Sequence, residues 1–168
     1  MLPEKAPKPF YKNWLFWIIT AAVMISVCPV VAFATFMARE FIVQMPKAKQ
    51  AMAELEIEFQ TITPLPNVKT VRYNASYKTS QAFVEATYST NVNSDDIFSY
   101  YDEQLIQHGW QYYKTSRLTD WGTDLGGKSA EYCKGDYVAS IQYAGNKANY
   151  GWTYAFNLSW GLSDCEKK

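Results

Sequence analysis

The stretch from Trp14 to Met37 constrains this chain more than any other. It reads WLFWIITAAVMISVCPVVAFATFM, carries no charge, and has only Thr20, Ser26 and Thr35 as polar interruptions. A helix rises about 1.5 Å per residue, so the run covers a hydrocarbon core of roughly 30 Å with length to spare. Three roles fit such a segment: a membrane anchor, a cleaved signal peptide, or a lipoprotein signal ending at Cys28. Lys5, Lys8 and Lys12 supply a basic leader, and Ala32-Phe33-Ala34 resembles a small-residue cleavage site. The hydrophobic region of a signal peptide spans only about 7–15 residues, however, and apolar character here resumes with Phe36, Met37, Phe41, Ile42 and Val43. For the lipoprotein reading, Val27 is branched where a small residue precedes the cysteine. The anchor is the preferred reading, with Pro29 inside the span as a tolerated kink.

Basic residues flank both ends, Lys5, Lys8 and Lys12 before the span and Arg39, Lys47 and Lys49 after it. Charge alone therefore does not orient the chain. Cysteine usage does. Beyond Cys28 the chain has one pair, Cys133 and Cys165. A pair in a small domain suits a disulfide, and disulfides persist outside the cytosol. The expected topology is a cytoplasmic tail at 1–13, a transmembrane helix at 14–37, a juxtamembrane stalk with a proline-rich connector at 38–66, and an extracytoplasmic domain at 67–168. The expected location is the inner membrane, single-pass, with the carboxyl domain in the periplasm.

Within the stalk, Pro46 is expected to end or bend the helix. Residues 47–54 (KAKQAMAE) are helix formers, whereas Leu55-Glu56-Ile57-Glu58-Phe59 alternates like a strand. Helix and strand both remain open for 48–60. Pro64-Leu65-Pro66-Asn67 reads as a stiff entrance to the domain.

The domain itself reads as strands around one helix. Val71, Tyr73, Ala75 and Tyr77 alternate with polar residues, as do Ala82, Val84, Ala86 and Tyr88, with Lys78-Thr79-Ser80 as a turn. From Asn93 to His108 the pattern changes to helical. Asn93 or Ser94 caps it, Asp95 and Asp96 favour its positive end, Ile97, Phe98, Tyr101, Leu105 and Ile106 form an apolar stripe, and Gly109 stops it. Gln111 to Arg117 reads as a strand, Leu118 to Lys128 as a Gly- and Asp-rich loop, and Glu131 to Cys133 as a short strand. Tyr137 to Tyr143 forms another. In the last strand Tyr150, Trp152, Tyr154, Phe156, Leu158 and Trp160 share a face. The fold class is α+β: an amino-terminal transmembrane helix, then a small antiparallel sheet with one helix on one face, in the order β-β-α-β-β-β-β.

Chemistry is sparse. Lys plus Arg and Asp plus Glu are 16 each, so no net field draws nucleic acid. Gly122 to Ser129 fits the spacing of a phosphate-binding loop, yet no buried strand precedes it, no helix follows it, and Asp124 would repel phosphate. No nucleotide, cofactor or metal is expected. His108 is the only histidine and sits at a helix end, where the dipole explains it. Aromatic content is 17%, with 13 Tyr and 6 Trp, which suits half-buried sheets and binding surfaces. Phe83, Tyr100, Tyr113 and Trp121 fall off the assigned apolar faces; with Asp120 and Asp124 they are the candidate partner-binding residues. The expectation is a non-catalytic protein-binding domain, either an envelope-complex subunit or adaptor, or an immunity protein against a toxin delivered to the periplasm. Its partners would be the bilayer, through 14–37, and another envelope protein or the toxin. A cell-wall or glycan-binding domain using exposed Tyr and Trp, and a small envelope enzyme around His108 or Asp120–Asp124, are the alternatives.

Overall fold

The computed structural model describes residues 11–161 and Cys165. Most of the expected cytoplasmic tail, residues 1–10, lies outside the described residues. Helix α1 spans Tyr11–Arg39 and is long and apolar enough to cross a membrane. A helix of this kind near an amino terminus serves as an anchor or as a signal sequence. The two threonines within it cost little. The Thr20 hydroxyl donates to the Phe16 carbonyl at 2.8 Å, and that of Thr35 to the Ala32 carbonyl at 2.9 Å.

Pro46 does not end the helix. A five-residue π-helical turn, Glu40–Gln44, leads directly into α2, Met45–Thr61. The Met45 N–H reaches back to the Glu40 carbonyl, and Pro46 sits in the first turn of α2. Proline has no N–H to donate, and the widened turn just before it accommodates that loss. The open question at 48–60 thus resolves as helix. The expected stalk at 38–66 is helical as far as Thr61, and the second half of that helix joins the core: Ala48, Ala51 and Leu55 are buried.

Six strands form one antiparallel open sheet: β1 Lys69–Lys78, β2 Gln81–Ser89, β3 Gln111–Asp120, β4 Thr123–Lys134, β5 Tyr137–Tyr143 and β6 Tyr154–Trp160. Helix α3, Ser94–Gln107, connects β2 to β3. The sheet order is β1-β2-β6-β5-β4-β3, so the last strand fits between the first hairpin and the later meander. The expected helix, α3, packs on the core face against β3 and β5, and α2 joins it there against β1, β2 and β6. The expected α3 signals are all used. The Asn93 side chain accepts from the Asp96 N–H at 3.0 Å, and Gly109 takes φ +83° after the last turn. Ile97, Tyr101 and Leu105 are buried, whereas Ile106, expected on the stripe, is exposed.

A line of rings ties both helices to the sheet. Tyr88 stacks on Tyr154 at 4.9 Å, Tyr154 meets Tyr101 of α3 at 5.7 Å, Tyr101 stacks on Phe156 at 5.0 Å, and Phe156 on Phe59 of α2 at 5.3 Å. The hydroxyls of Tyr101 and Tyr154 lie 3.2 Å apart in this buried line. The expected disulfide between Cys133 and Cys165 is formed, with Cα atoms 5.9 Å apart, and fastens the chain just after β6 to β4.

Two expectations about stability follow. The bridge closes a sequence separation of 32 residues, so Cys133→Ser with Cys165→Ser lowers unfolding free energy by roughly 3–4 kcal/mol in urea titrations. The second concerns alkali. Burial pushes the Tyr88 and Tyr137 phenols up to about 12, and raises those of Tyr101, Tyr132 and Tyr154. Above about pH 10 the unfolded chain loses these protons while the folded chain keeps them, so stability falls as pH climbs toward 12. Tyrosinate absorbance from the buried rings and loss of circular dichroism then appear in one cooperative step. Tyr101→Phe makes the alkaline limb shallower. Gradual ionisation of all phenols near pH 10 with an intact spectrum would contradict this.

Candidate functional site

Helix α2 gives the domain two distinct ends. Glu54 accepts from the Tyr137 hydroxyl, and Glu58 accepts from Lys134 Nζ at 2.8 Å and from Trp110 Nε1 at 3.0 Å. Tyr137 and Lys134 flank the β4–β5 turn, so α2 arrives at that end of the sheet, the end that also carries the disulfide. One residue beyond Glu58, Phe59 meets Phe156 of β6 and Tyr73 of β1. Leu65, just beyond the helix, is buried in the core with Tyr101 and Tyr154. The Glu54 carboxyl is held below its ordinary value, first by the Tyr137 hydrogen bond and then by Gln50.

The opposite end carries the β3–β4 hairpin. The stretch Leu118–Lys128, expected as a loop, is instead the outer part of β3 and β4, paired from Arg117↔Lys128 to Asp120↔Thr123. Only Trp121 and Gly122 lie between the strands. Gly127, and Gly145 facing it, serve close approach. Gly145 of the 144–153 loop has φ +101°, and a Cβ there would overlap the Leu125 carbonyl oxygen; a Cβ at Gly127 would crowd Leu118 and the Ala144 carbonyl. The loop thus presses its backbone onto β4, and the Lys147 N–H donates to the Leu125 carbonyl at 3.3 Å. Lys128, the lysine of the phosphate-loop-like spacing, pairs with Asp95 at 3.3 Å from within a strand.

The tip is unusual. Trp121 is 101% exposed and has φ +48°, followed by Gly122 at +83°. Positive φ at both central positions suits a two-residue hairpin turn, but those positions favour Asn, Asp or Gly. A bulky side chain there carries a steric cost of about 1–2 kcal/mol. Among the described residues, no contact of the indole offsets it.

The predicted site residues divide. Trp121, Asp120 and Asp124 share the hairpin end. Asp120 Oδ2 accepts from the Tyr150 hydroxyl at 2.6 Å, which raises the Tyr150 phenol above its ordinary value. Asp124 Oδ1 accepts from the Gly126 N–H at 2.8 Å and shapes the strand. The others lie elsewhere. Phe83 is half-buried on the sheet face that no helix covers, opposite Ser76 and Ser159. Tyr100 flanks the core and donates to the Pro64 carbonyl at 3.3 Å. Tyr113 sits at a β3 irregularity beside Lys114, 5.2 Å from its ring, and lines a 310 Å³ cleft next to the disulfide. His108 Nδ1 is 3.4 Å from the Thr61 hydroxyl. Among the described residues, no group of three or more His, Cys, Asp or Glu could hold a metal ion.

Two residues of this end escape the sequence reading. Tyr150 and Trp152 alternate in phase with β6 and read as its start, but the strand begins at Tyr154. Gly151, with φ +76°, turns the pair out of the sheet, where the rings stack at 5.6 Å and 22°. The Gly145-to-Gly151 spacing was the available signal.

If the backbone at Trp121 is costly, Asn relieves it. Trp121→Asn therefore stabilises the domain by about 1 kcal/mol, a rise of about 4 °C in Tm measured calorimetrically. A lower Tm would mean that the indole contributes to folding. No family model, curated protein or solved structure matches this chain.

Proposed function

We propose that the protein is anchored in the inner membrane by α1 and holds its domain in the periplasm as a non-catalytic protein-binding module. It acts there as an envelope-complex subunit or adaptor, or as an immunity protein that occupies a toxin delivered to that compartment. One observation carries the reading. A fully exposed tryptophan with positive φ, packed on nothing among the described residues, stands at the end of the domain opposite the one where α2 enters. Tryptophan is among the residue types enriched at binding hot spots. The path along β4 from Lys134 to Thr123 is about 37 Å at 3.4 Å per residue, so the indole is presented well clear of the bilayer. The disulfide supports an oxidising compartment. The uninterrupted helical path from α1 into α2 supports a fixed stance, with no flexible linker between anchor and domain.

Trp121→Cys in the full-length protein tests the topology. A membrane-impermeant maleimide labels it in intact spheroplasts, while the wild type, whose unbridged cysteine is Cys28 within α1, stays unlabelled. Labelling only after lysis would reverse the orientation. A photo-crosslinker at position 121 tests the partner. It yields a discrete protein adduct in cells, whereas the same group at exposed Ile106 does not. Equal, diffuse crosslinking at both positions would count against a specific protein partner.

A further inference from the structure

Beside the hairpin tip lies a second feature that the protein-binding reading leaves unused. Leu118, Thr119, Asp120, Leu125, Ala144, Tyr150 and Trp152 enclose a cleft of about 200 Å³. We propose that this cleft binds a neutral saccharide chain, one pyranose ring stacking on the Tyr150–Trp152 pair while a ring hydroxyl donates to Asp120.

The chemistry matches in three respects. Tyr150 and Trp152 lie nearly parallel and outside the core, and Tyr150 is 43% exposed, so an aromatic face is open to solvent. The negative face of such a ring attracts the polarised C–H bonds of a sugar's apolar side. Asp120 stands at the edge of that platform. One of its oxygens holds the Tyr150 hydroxyl at 2.6 Å, which fixes the carboxylate and leaves Oδ1 for a ligand donor. A carboxylate accepting from a hydroxyl forms a charge-assisted bond, stronger than a neutral one. The third respect is charge. The lining has one carboxylate and no Lys or Arg, which favours a neutral polyol over a phosphate or another anion. The volume is below the roughly 300–1,000 Å³ of pockets for drug-sized ligands, as befits one ring of a longer chain lying across the surface.

The cleft is also preorganised. Its 144–153 wall is held by the Gly145 contact with Leu125, by the Ala144 N–H on the Thr153 carbonyl at 2.9 Å, and by the Thr153 N–H on the Tyr88 carbonyl at 2.7 Å. Ordering of this loop therefore takes little from the binding free energy.

The test uses the full-length protein in detergent. Two probes cover the neutral pyranoses, cellotetraose and the tetramer of N-acetylglucosamine, followed by tryptophan fluorescence and calorimetry; purified peptidoglycan sacculi serve for co-sedimentation. Binding of one oligosaccharide is expected. Trp152→Ala and Asp120→Ala each weaken it at least tenfold, with circular dichroism unchanged for Asp120→Ala. Trp121→Asn, which removes the tip indole needed for the protein partner, leaves saccharide affinity within twofold. The two readings therefore fail separately. Absence of binding to all three probes overturns the proposal. So does affinity unaltered by Asp120→Ala and Trp152→Ala, or a photo-crosslinker at position 150 that captures protein alone in cells.

Discussion

The stacked rings of Tyr88, Tyr154, Tyr101, Phe156 and Phe59 are the contact on which the remaining architecture rests. The strands offer small side chains to the core at Ala82, Ala86 and Ala139, and these rings fill the space beside them together with Val84, Ile141 and Leu158. Full burial of one such side chain contributes about 1.5–3 kcal/mol, and ring pairs in offset geometry add to it. Because the line runs from β2 through β6 to α3 and back to α2, removing a ring loosens the packing between these four elements. Tyrosine at two central positions brings hydroxyls into an apolar interior, and that works only because each finds a partner.

The position of β6 makes this core depend on non-local pairing. It pairs with β2 from Ala82↔Trp160 to Tyr88↔Tyr154 and with β5 on its other edge. Before β6 is in place, the first hairpin and the β3–β4–β5 meander share no ladder, and Phe59 and Tyr101 have no Phe156 to stack on. Such non-local closure is entropically slow. Cys165 follows directly after this strand, so the bridge to Cys133 fastens the element whose docking completes the sheet.

Much of this fold was legible in the sequence, and the exceptions have physical reasons. Helix α3 announced itself because cap, stripe and terminating glycine all agree. Helix α2 did not, because Leu55-Glu56-Ile57-Glu58-Phe59 mimics a strand. Leu55 and Phe59, four apart, meet the core, while Ile57 is 68% exposed and only completes a chance alternation. The hairpin was obscured by composition: glycine usually signals a loop, but Gly127 and Gly145 are there so that two backbones can touch. Trp121 was legible as a candidate, since its place in a Gly- and Asp-rich stretch gave it no core to join. The Tyr150–Trp152 cleft was not, since a single positive φ at Gly151 separates a strand from a turn and alternation cannot report it.

The distribution of polar contacts completes the argument. At the end where α2 enters, acids are spent on holding the fold: Glu58 takes Trp110 and Lys134, and Glu54 takes Tyr137. Lys134 also lies 5.6 Å from the Trp110 ring, and the disulfide closes the same corner. That end resists displacement of α2, and thus fixes how the domain stands on its helix. At the far end the balance is reversed. Trp121 has no internal contact, the Tyr150–Trp152 pair lies outside the core, and Asp120 grips only the rim of that pair. A fold that secures one end so heavily can leave a strained and exposed tryptophan at the other without losing its shape. The helix-side lock is therefore what makes the exposed end possible, and recognition is expected where the chain's own contacts run out.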